Sequence, residues 1–296
     1  MKLFNRIIRK VLGHFGVRII QTSRSGKNQD EITLHTYNKY YPEESIKSKR
    51  FYNLGAGRFR HQYWTNIDKL SGWYNNVQEQ KNVIDYDFFS KEKLPLDSAS
   101  AELFYSSHAI EHITDEEIKY LFAEVHRILK TGGIFRITCP NIDLDYRAFL
   151  HRDIDFFYFR TSPILNKNPT FNMDVKTMNI EQAFIWHIAS NASIHHSDGS
   201  QNRISDEELR KIIADNPKEI ALDTITSRAD VSKQKLYPGN HINWFNFSKL
   251  DRQLRQAGFS TVNREAYGQS SSPVMRDIFL FDSTHPKLSL YMEAVK

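Results

Sequence analysis

The sequence predicts an α/β protein built on an open, mostly parallel sheet with helices on both faces. Two observations carry that expectation. A short strand over 50–54 runs into Asn53-Leu54-Gly55-Ala56-Gly57, a glycine loop at the point where open parallel sheets place their ligand crevice. Between 102 and 139 a strand, an amphipathic helix and a second strand follow one another, which is the βαβ unit of a parallel pair.

The elements follow in order. Leu3, Phe4, Ile7, Ile8, Val11, Leu12 and Phe15 recur at helical spacing, with Lys2, Arg6, Arg9 and Lys10 on the other side. They predict a basic amphipathic helix within 1–20, ending near Gly13 and Gly16. Such a helix suits an anionic membrane surface, a partner protein or the chain's own domain, and the membrane is the preferred reading. A polar connector with a Tyr-rich patch over 37–41 is expected across 21–49.

Strands are expected at 50–54, 64–68, 82–86, 102–105 and 133–139. Before the last of these, Thr114 with Glu117 can cap a helix whose buried stripe is Ile118, Leu121, Phe122, Val125, Ile128 and Leu129, with Gly132 where it stops. Residues 141–240 break the rhythm with aromatics at Phe156 to Phe159 and irregular polar stretches, and read as an insertion. The core resumes over 241–296, where Ser248 and Asp251 open a helix ending at Gly258, followed by strands at 260–266 and 277–281.

Composition narrows the class. With 296 residues, 40% of them hydrophobic, the chain can bury one sizeable core, and a net charge of +5 is too small to argue for nucleic acid by itself. The lone Cys139 excludes an intramolecular disulfide framework and, inside an apolar run, is expected to be buried. No apolar stretch approaches the ~20 residues needed to cross a bilayer. A cytoplasmic protein is expected, peripheral at the membrane if the first helix binds there.

Glycine in the 53–57 loop lets backbone approach a ligand, although Gly-x-Gly also ends many strands for turn geometry alone. Asp68, at the tip of the second strand, can accept hydrogen bonds from both hydroxyls of a cofactor ribose; the alternative is a turn-forming aspartate. A nicotinamide enzyme would want three glycines opening a helix and an acidic residue about 20 positions on, and the sequence supplies neither.

Four segments resemble the class I S-adenosylmethionine (SAM)-dependent methyltransferases, of the methyltransferase type 11 kind. Asn53-Leu54-Gly55-Ala56-Gly57 resembles the first motif, and Leu94-Pro95-Leu96 takes the place of the Leu-Pro-aromatic element before strand four. Ser106-Ser107-His108-Ala109-Ile110-Glu111-His112-Ile113 resembles the signature after that strand. Arg127-Ile128-Leu129-Lys130-Thr131-Gly132-Gly133-Ile134 is similar to the passage into strand five. Their order over 50–140 implies a Rossmann-like methyltransferase fold with a mostly parallel seven-stranded sheet. The terminal Ser289-Leu290-Tyr291-Met292-Glu293-Ala294 resembles the end of methyltransferase-like proteins of bacterial surface polysaccharide synthesis.

The resemblance implies SAM as cofactor, held by Asn53, Leu54, Gly55, Ala56, Gly57, Asp68, Ser106, Ser107 and His108. By family position the residue beside the adenine is Asp85 or Asp87, with Asp87 preferred. Two departures stand out: Phe59 replaces a third glycine, and Asp68 comes only 11 residues after Gly57, so the loop must be rebuilt locally.

SAM brings its own leaving group, so the protein chiefly orients the acceptor. A sugar or glycan hydroxyl would also need a base. His108 is the first candidate, by family position near the methionine half of the cofactor, with Glu111, His112 and His241 as further catalytic candidates. Glu111 and His112 could instead organise the start of the next helix.

His187, His195, His196 and Asp198 match no compact zinc spacing, so no metal is expected and loop histidines exposed to solvent are the plain reading. The insertion is expected to be the lid that binds the acceptor, its aromatics either stacking on sugar or forming its own core. Trp244 is expected in the core. Two other functions compete: a methyltransferase-fold binding module without turnover, motivated by Phe59, and an RNA or protein methyltransferase using Arg58, Arg60, Arg127 and Arg136. Nucleic acid is the less favoured partner, since these arginines do not cluster with aromatics in a recognised pattern.

Overall fold

The computed structural model describes residues 26–57, 59–70, 83–158, 178–196 and 198–296. The chain divides into two compact units, 1–40 and 41–296. The described part of the first is a helix, α1 (Gly26–Tyr40), so the stretch expected to be a polar connector is largely helical. The amphipathic helix expected within 1–20 lies outside the described residues.

The second unit opens with a short helix, α2 (Glu43–Lys47), and holds a seven-stranded sheet. Its strands are β1 (Phe51–Leu54), β2 (Trp64–Asp68), β3 (Val83–Asp85), β4 (Ala101–Ser107), β5 (Leu129–Pro140), β6 (Thr261–Glu265) and β7 (Ser289–Val295), in the order β3-β2-β1-β4-β5-β7-β6. Pairing is parallel from β3 to β5, and β7 runs antiparallel between β5 and β6. With helices packed on it, this is an open α/β sheet of seven strands, parallel but for β7.

Strand periodicity sorts the side chains. Tyr52, Leu54, Phe104, Phe135 and Ile137 meet α3 (Asp115–Ile128) and α8 (Phe247–Gln256) in one apolar core. The stripe predicted for α3 is buried as expected. Its start differs in detail, since the Thr114 hydroxyl bonds the Glu117 carboxylate rather than a backbone N–H. Its end differs as well. Leu129 is already extended, and Gly132 sits inside β5, where the register jumps from Leu129 opposite Ala101 to Ile134 opposite Leu103. The 241–296 helix is capped by Asn246, which accepts from Lys249 N at 2.8 Å, and not by Ser248.

The other face explains how the short first crossover is tolerated. Residues 59–63 form no helix. Phe59 instead packs on Trp64 (ring centroids 5.6 Å apart), Tyr105 (5.9 Å) and Phe281 (5.5 Å). Phe281 belongs to the segment expected as a strand over 277–281, but the chain turns there and the last strand is β7. Aromatic bulk from two distant segments thus covers sheet that a crossover helix would otherwise cover.

Arg136, on the same face, is fully buried between Asp282 (2.9 Å) and Glu293 (3.0 Å), and Arg127 is bonded to Glu124 and to the carbonyls of Leu94 and Leu96. Neither guanidinium is free for phosphate, which removes two of the four arginines from the RNA reading.

Residues of 142–244 form a helical layer: α4 (Ile142–Leu150), α5 (Ile180–Ile188), α6 (Asp206–Asp215) and α7 (Lys218–Thr226). They share a second apolar core that includes Phe157, Phe184, Trp186 and Trp244. Phe157 and Trp244 are therefore core residues, Trp244 also donating Nε1–H to Asp223 at 2.8 Å.

Candidate active site at the ends of strands 1, 2, 4 and 5

Gly55 and Gly57 leave β1 in the left-handed region, with φ of 75° and 47°. A Cβ on Gly55 would lie 2.5 Å from the Ala109 Cβ, so glycine there admits the segment after β4, whereas a Cβ on Gly57 would enter open space. The loop is tied by Gly55 N–H to the Ile67 carbonyl and by Ala56 N–H to Asp68 Oδ2, both at 2.9 Å. Asp68 Oδ1 accepts from Lys69 N–H at 2.8 Å. Burial raises the Asp68 pKa, against the pull of these N–H donors.

The side chains of Asn53 and Leu54 point elsewhere. Asn53 donates to Asn66 at 3.0 Å inside the sheet, and Leu54 is in the core, so only their backbone can border the cleft. Asp85 is held by Lys69 (3.2 Å) and Leu70 N–H (2.9 Å), while Asp87 accepts from Phe89 N–H and pairs with Lys235 of the helical layer at 3.4 Å.

Ser106 is fully buried and its hydroxyl has no hydrogen-bond partner; Ser107 accepts from Thr138 at 2.9 Å. Open space beside Gly57, a carboxylate at the tip of β2 and an orphaned hydroxyl at the end of β4 fit a nucleoside bound across β1, β2 and β4.

His108 follows with φ of 50°, an uncommon conformation for a residue with a side chain and one concentrated at functional sites. Its Nε2 lies 2.7 Å from Ser289 Oγ at the start of β7, and its Nδ1 lies 3.2 Å from Glu111 Oε1. Glu111 is almost wholly buried, and neither carboxylate oxygen has an aligned hydrogen bond. Burial opposes its ionisation, but the surrounding His108, His112 and His241 outweigh it and hold the carboxyl well below the usual range.

His112 and His241 meet edge to face with centroids 4.9 Å apart, and backbone bonds fasten the two segments together: Ile242 N–H donates to the Glu111 carbonyl at 2.9 Å. The structure therefore brings His108, Glu111, His112 and His241 into one group. Burial drives the His241 pKa well below its ordinary value, with His112 adding to the effect.

Sequence reasoning missed two participants. Asp145 of α4 bonds Nδ1 of His187 of α5, and both line a small cavity with Glu111, Asn243 and Trp244. Burial disfavours the His187 cation, yet Asp145 reverses that and raises its pKa. The other is Ser289, 181 positions from His108, which no local spacing could connect to it. His187 is not a loop residue exposed to solvent, and neither is His196, which is buried and bonded to Asn240 at 2.9 Å. His195 is half-buried, and Asp198 is buried with Ser200 and Arg203 as partners.

Residues 63–137 match the family described as methyltransferase domain. The match covers the segment from Tyr63 to Ile137, which carries β2 to most of β5. No curated protein matches the sequence. Among solved structures, the chain is similar to a SAM-dependent methyltransferase from Mesorhizobium loti (16% identity, 83% of this chain and 90% of that one, TM-score 0.36). It is also similar to one from Archaeoglobus fulgidus (12% identity, 90% and 99%, TM-score 0.38). A third is the SAM-dependent methyltransferase SibL (11% identity, TM-score 0.36), of which the chain spans 50% of the length while 83% of this chain is covered.

Proposed function

We propose that this chain is a SAM-dependent O-methyltransferase whose acceptor is the hydroxyl of a sugar or glycan, and that it works in polysaccharide biosynthesis. The cofactor supplies an activated methyl group. Gly55 to Gly57 would lie along it, Asp68 would accept from its ribose hydroxyls, Asp87 would border the adenine, and Ser106 and Ser107 would meet the methionine half.

The observation that carries the hydroxyl acceptor is the Glu111–His108 pair. A buried carboxylate 3.2 Å from Nδ1 favours the tautomer with the proton on that nitrogen, and Ser289 Oγ, 2.7 Å from Nε2 with its own proton given to the His285 carbonyl at 2.8 Å, marks where an acceptor hydroxyl would meet the Nε2 lone pair. An acceptor hydroxyl in reach of Nε2 would lose its proton to His108 as its oxygen bonds the methyl group. Methylation of an already neutral amine or a thiolate would need no such base.

The choice of a glycan rests on the likeness of Ser289 to Ala294 and on the aromatic content of the layer over 141–240, read as the acceptor lid. Attachment of the basic 1–20 segment to an anionic bilayer would bring such an enzyme to membrane-bound glycan. A variant lacking 1–20 should then fail to sediment with anionic vesicles that carry down the full chain. Among the described residues, no helix is long and apolar enough to cross a membrane.

The deciding experiment combines SAM, the full chain and a panel of nucleotide sugars and oligosaccharides, with mass spectrometry to find the methylated product. His108→Ala should lower kcat by about 100-fold or more while leaving SAM affinity within about threefold. Full turnover in that variant, with SAM bound as before, would remove His108 from the reaction.

A further inference from the structure

We propose that Glu111, His112 and His241 form a binding site for one divalent transition-metal ion of the zinc, cobalt or iron type. One ligand atom from each of the three lies within 4.8 Å of the other two. Two imidazoles and one carboxylate form a donor set such ions take, and they leave coordination positions open.

The hydrogen bonds around the rings select the nitrogen. His112 Nδ1 lies 2.9 Å from the Asn240 carbonyl and His241 Nδ1 lies 2.6 Å from the His187 carbonyl. A carbonyl only accepts, so each Nδ1 carries the proton and each Nε2 keeps the lone pair a metal needs. Histidine ligands are ordinarily fixed in this way, with the far nitrogen donating to backbone or carboxylate. Gln234 also donates to the Asn240 carbonyl at 2.8 Å, which steadies the carbonyl that orients His112.

The second observation is the carboxylate. Glu111 Oε1 has only His108 Nδ1 beside it, at 3.2 Å and off-axis, and Oε2 is buried without a hydrogen bond, in a protein where buried carboxylates such as Asp282 and Glu181 are bonded to guanidinium groups. A desolvated anion in that state is costly, and a cation between it and two imidazoles would satisfy it. Ligands around a zinc ion about 2.1 Å away stand roughly 3.0–3.5 Å apart, so side-chain rotations of the order of 1 Å complete the site. The backbones bearing the ligands are already joined by Ile242 N–H to the Glu111 carbonyl and by Asn243 Nδ2 to the Ile113 carbonyl at 3.0 Å.

The ion's role rests on the methyl-transfer reading: an acceptor oxygen on an open position becomes more acidic, which lightens the task of His108. The binding itself does not rest on that reading. The full chain, stripped with chelator, is titrated with Co²⁺ and followed by visible absorption and calorimetry. One equivalent should bind, with a d–d band, and Glu111→Gln or His241→Ala should weaken it by at least about 100-fold. A second readout needs no variant: on adding Zn²⁺ to ¹⁵N-histidine-labelled protein, the Nε2 signals of two histidines should shift as metal-bound.

Absence of stoichiometric binding by the unaltered chain, equal binding by both variants, or coordination through Nδ1 would each overturn the site. SAM is titrated separately into the stripped chain. Binding there with no metal uptake would reject the metal alone, and metal uptake without SAM binding would reject the methyltransferase reading alone.

Discussion

The two sides of the cleft are held in opposite ways. On the side proposed for the cofactor, Gly55, Gly57 and Asp68 lie within one short stretch, and backbone bonds from Gly55 and Ala56 to β2 fix them. On the side proposed for the acceptor, His108 is bonded to Ser289 and His112 to the Asn240 carbonyl, His112 also meets His241, and His241 is bonded in turn to His187, the partner of Asp145; these residues come from four further segments of the chain. The first side is local and built from backbone; the second is long-range and built from side chains.

The sharpest way to break that contrast is through Phe281, a distant support of the loop after β1. Phe281→Ala removes the ring packed on Phe59, Trp64 and Tyr105, and should cost about 3–5 kcal/mol of stability together with SAM affinity. A thermal melt and a SAM titration check it. Unchanged SAM binding would show that the loop stands on its backbone bonds alone.

Acid should loosen the same side. Burial lowers the His61 pKa from 6.5 to about 4, and its Nδ1 accepts from Tyr63 N–H at 3.1 Å, a bond that needs the unprotonated ring. Between those values the unfolded chain binds more protons at this site, so stability falls as pH drops from 6.5 towards 4 and this contribution saturates below. The loss reaches roughly 3 kcal/mol at most, and His61→Gln should flatten that part of a stability-against-pH curve.

Asp68→Asn tests the local side directly. It keeps the shape and halves the accepting capacity, and should weaken SAM by about tenfold with little change in melting temperature, as read by calorimetry. The smallest effect belongs to Gly57→Ala. Its Cβ meets nothing in the protein, so the stability cost is about 1 kcal/mol for φ of 47°, and a larger loss of SAM affinity than of stability would locate the cofactor beside it.

The contrast also explains what could be read in advance. Strands β1 to β4, the α3 stripe and the Gly55–Asp68 loop were legible because period and turn chemistry are written in neighbouring residues. The segment over 277–281 was misread because its apolar residues serve a long-range plug in which only Phe281 is buried deeply. Gly132 was misread because a bulge and a helix stop want the same residue. Asn246 rather than Ser248 caps α8, a difference of two positions that local signals do not separate.

At the site, the sequence indicated His108, Glu111, His112 and His241 as separate candidates, without the distances that join them. The Asp145–His187 pair lay beyond it, since His187 read as an exposed loop histidine and its partner stands 42 positions away.

What the sequence by itself determined, then, is the α/β class, the glycine loop with its aspartate, and the methyltransferase likeness of the segment after β4. These depend on spacings of a few residues. Tertiary structure alone decided that an aromatic plug replaces the first crossover helix, that Arg136 is spent in a buried ion triad, and that the buried Glu111 carboxylate has His241 beside its sequence neighbours His108 and His112. Each of those features needs at least one contact between side chains more than a hundred positions apart, and only the packed sheet, with its layer of helices, brings them within reach.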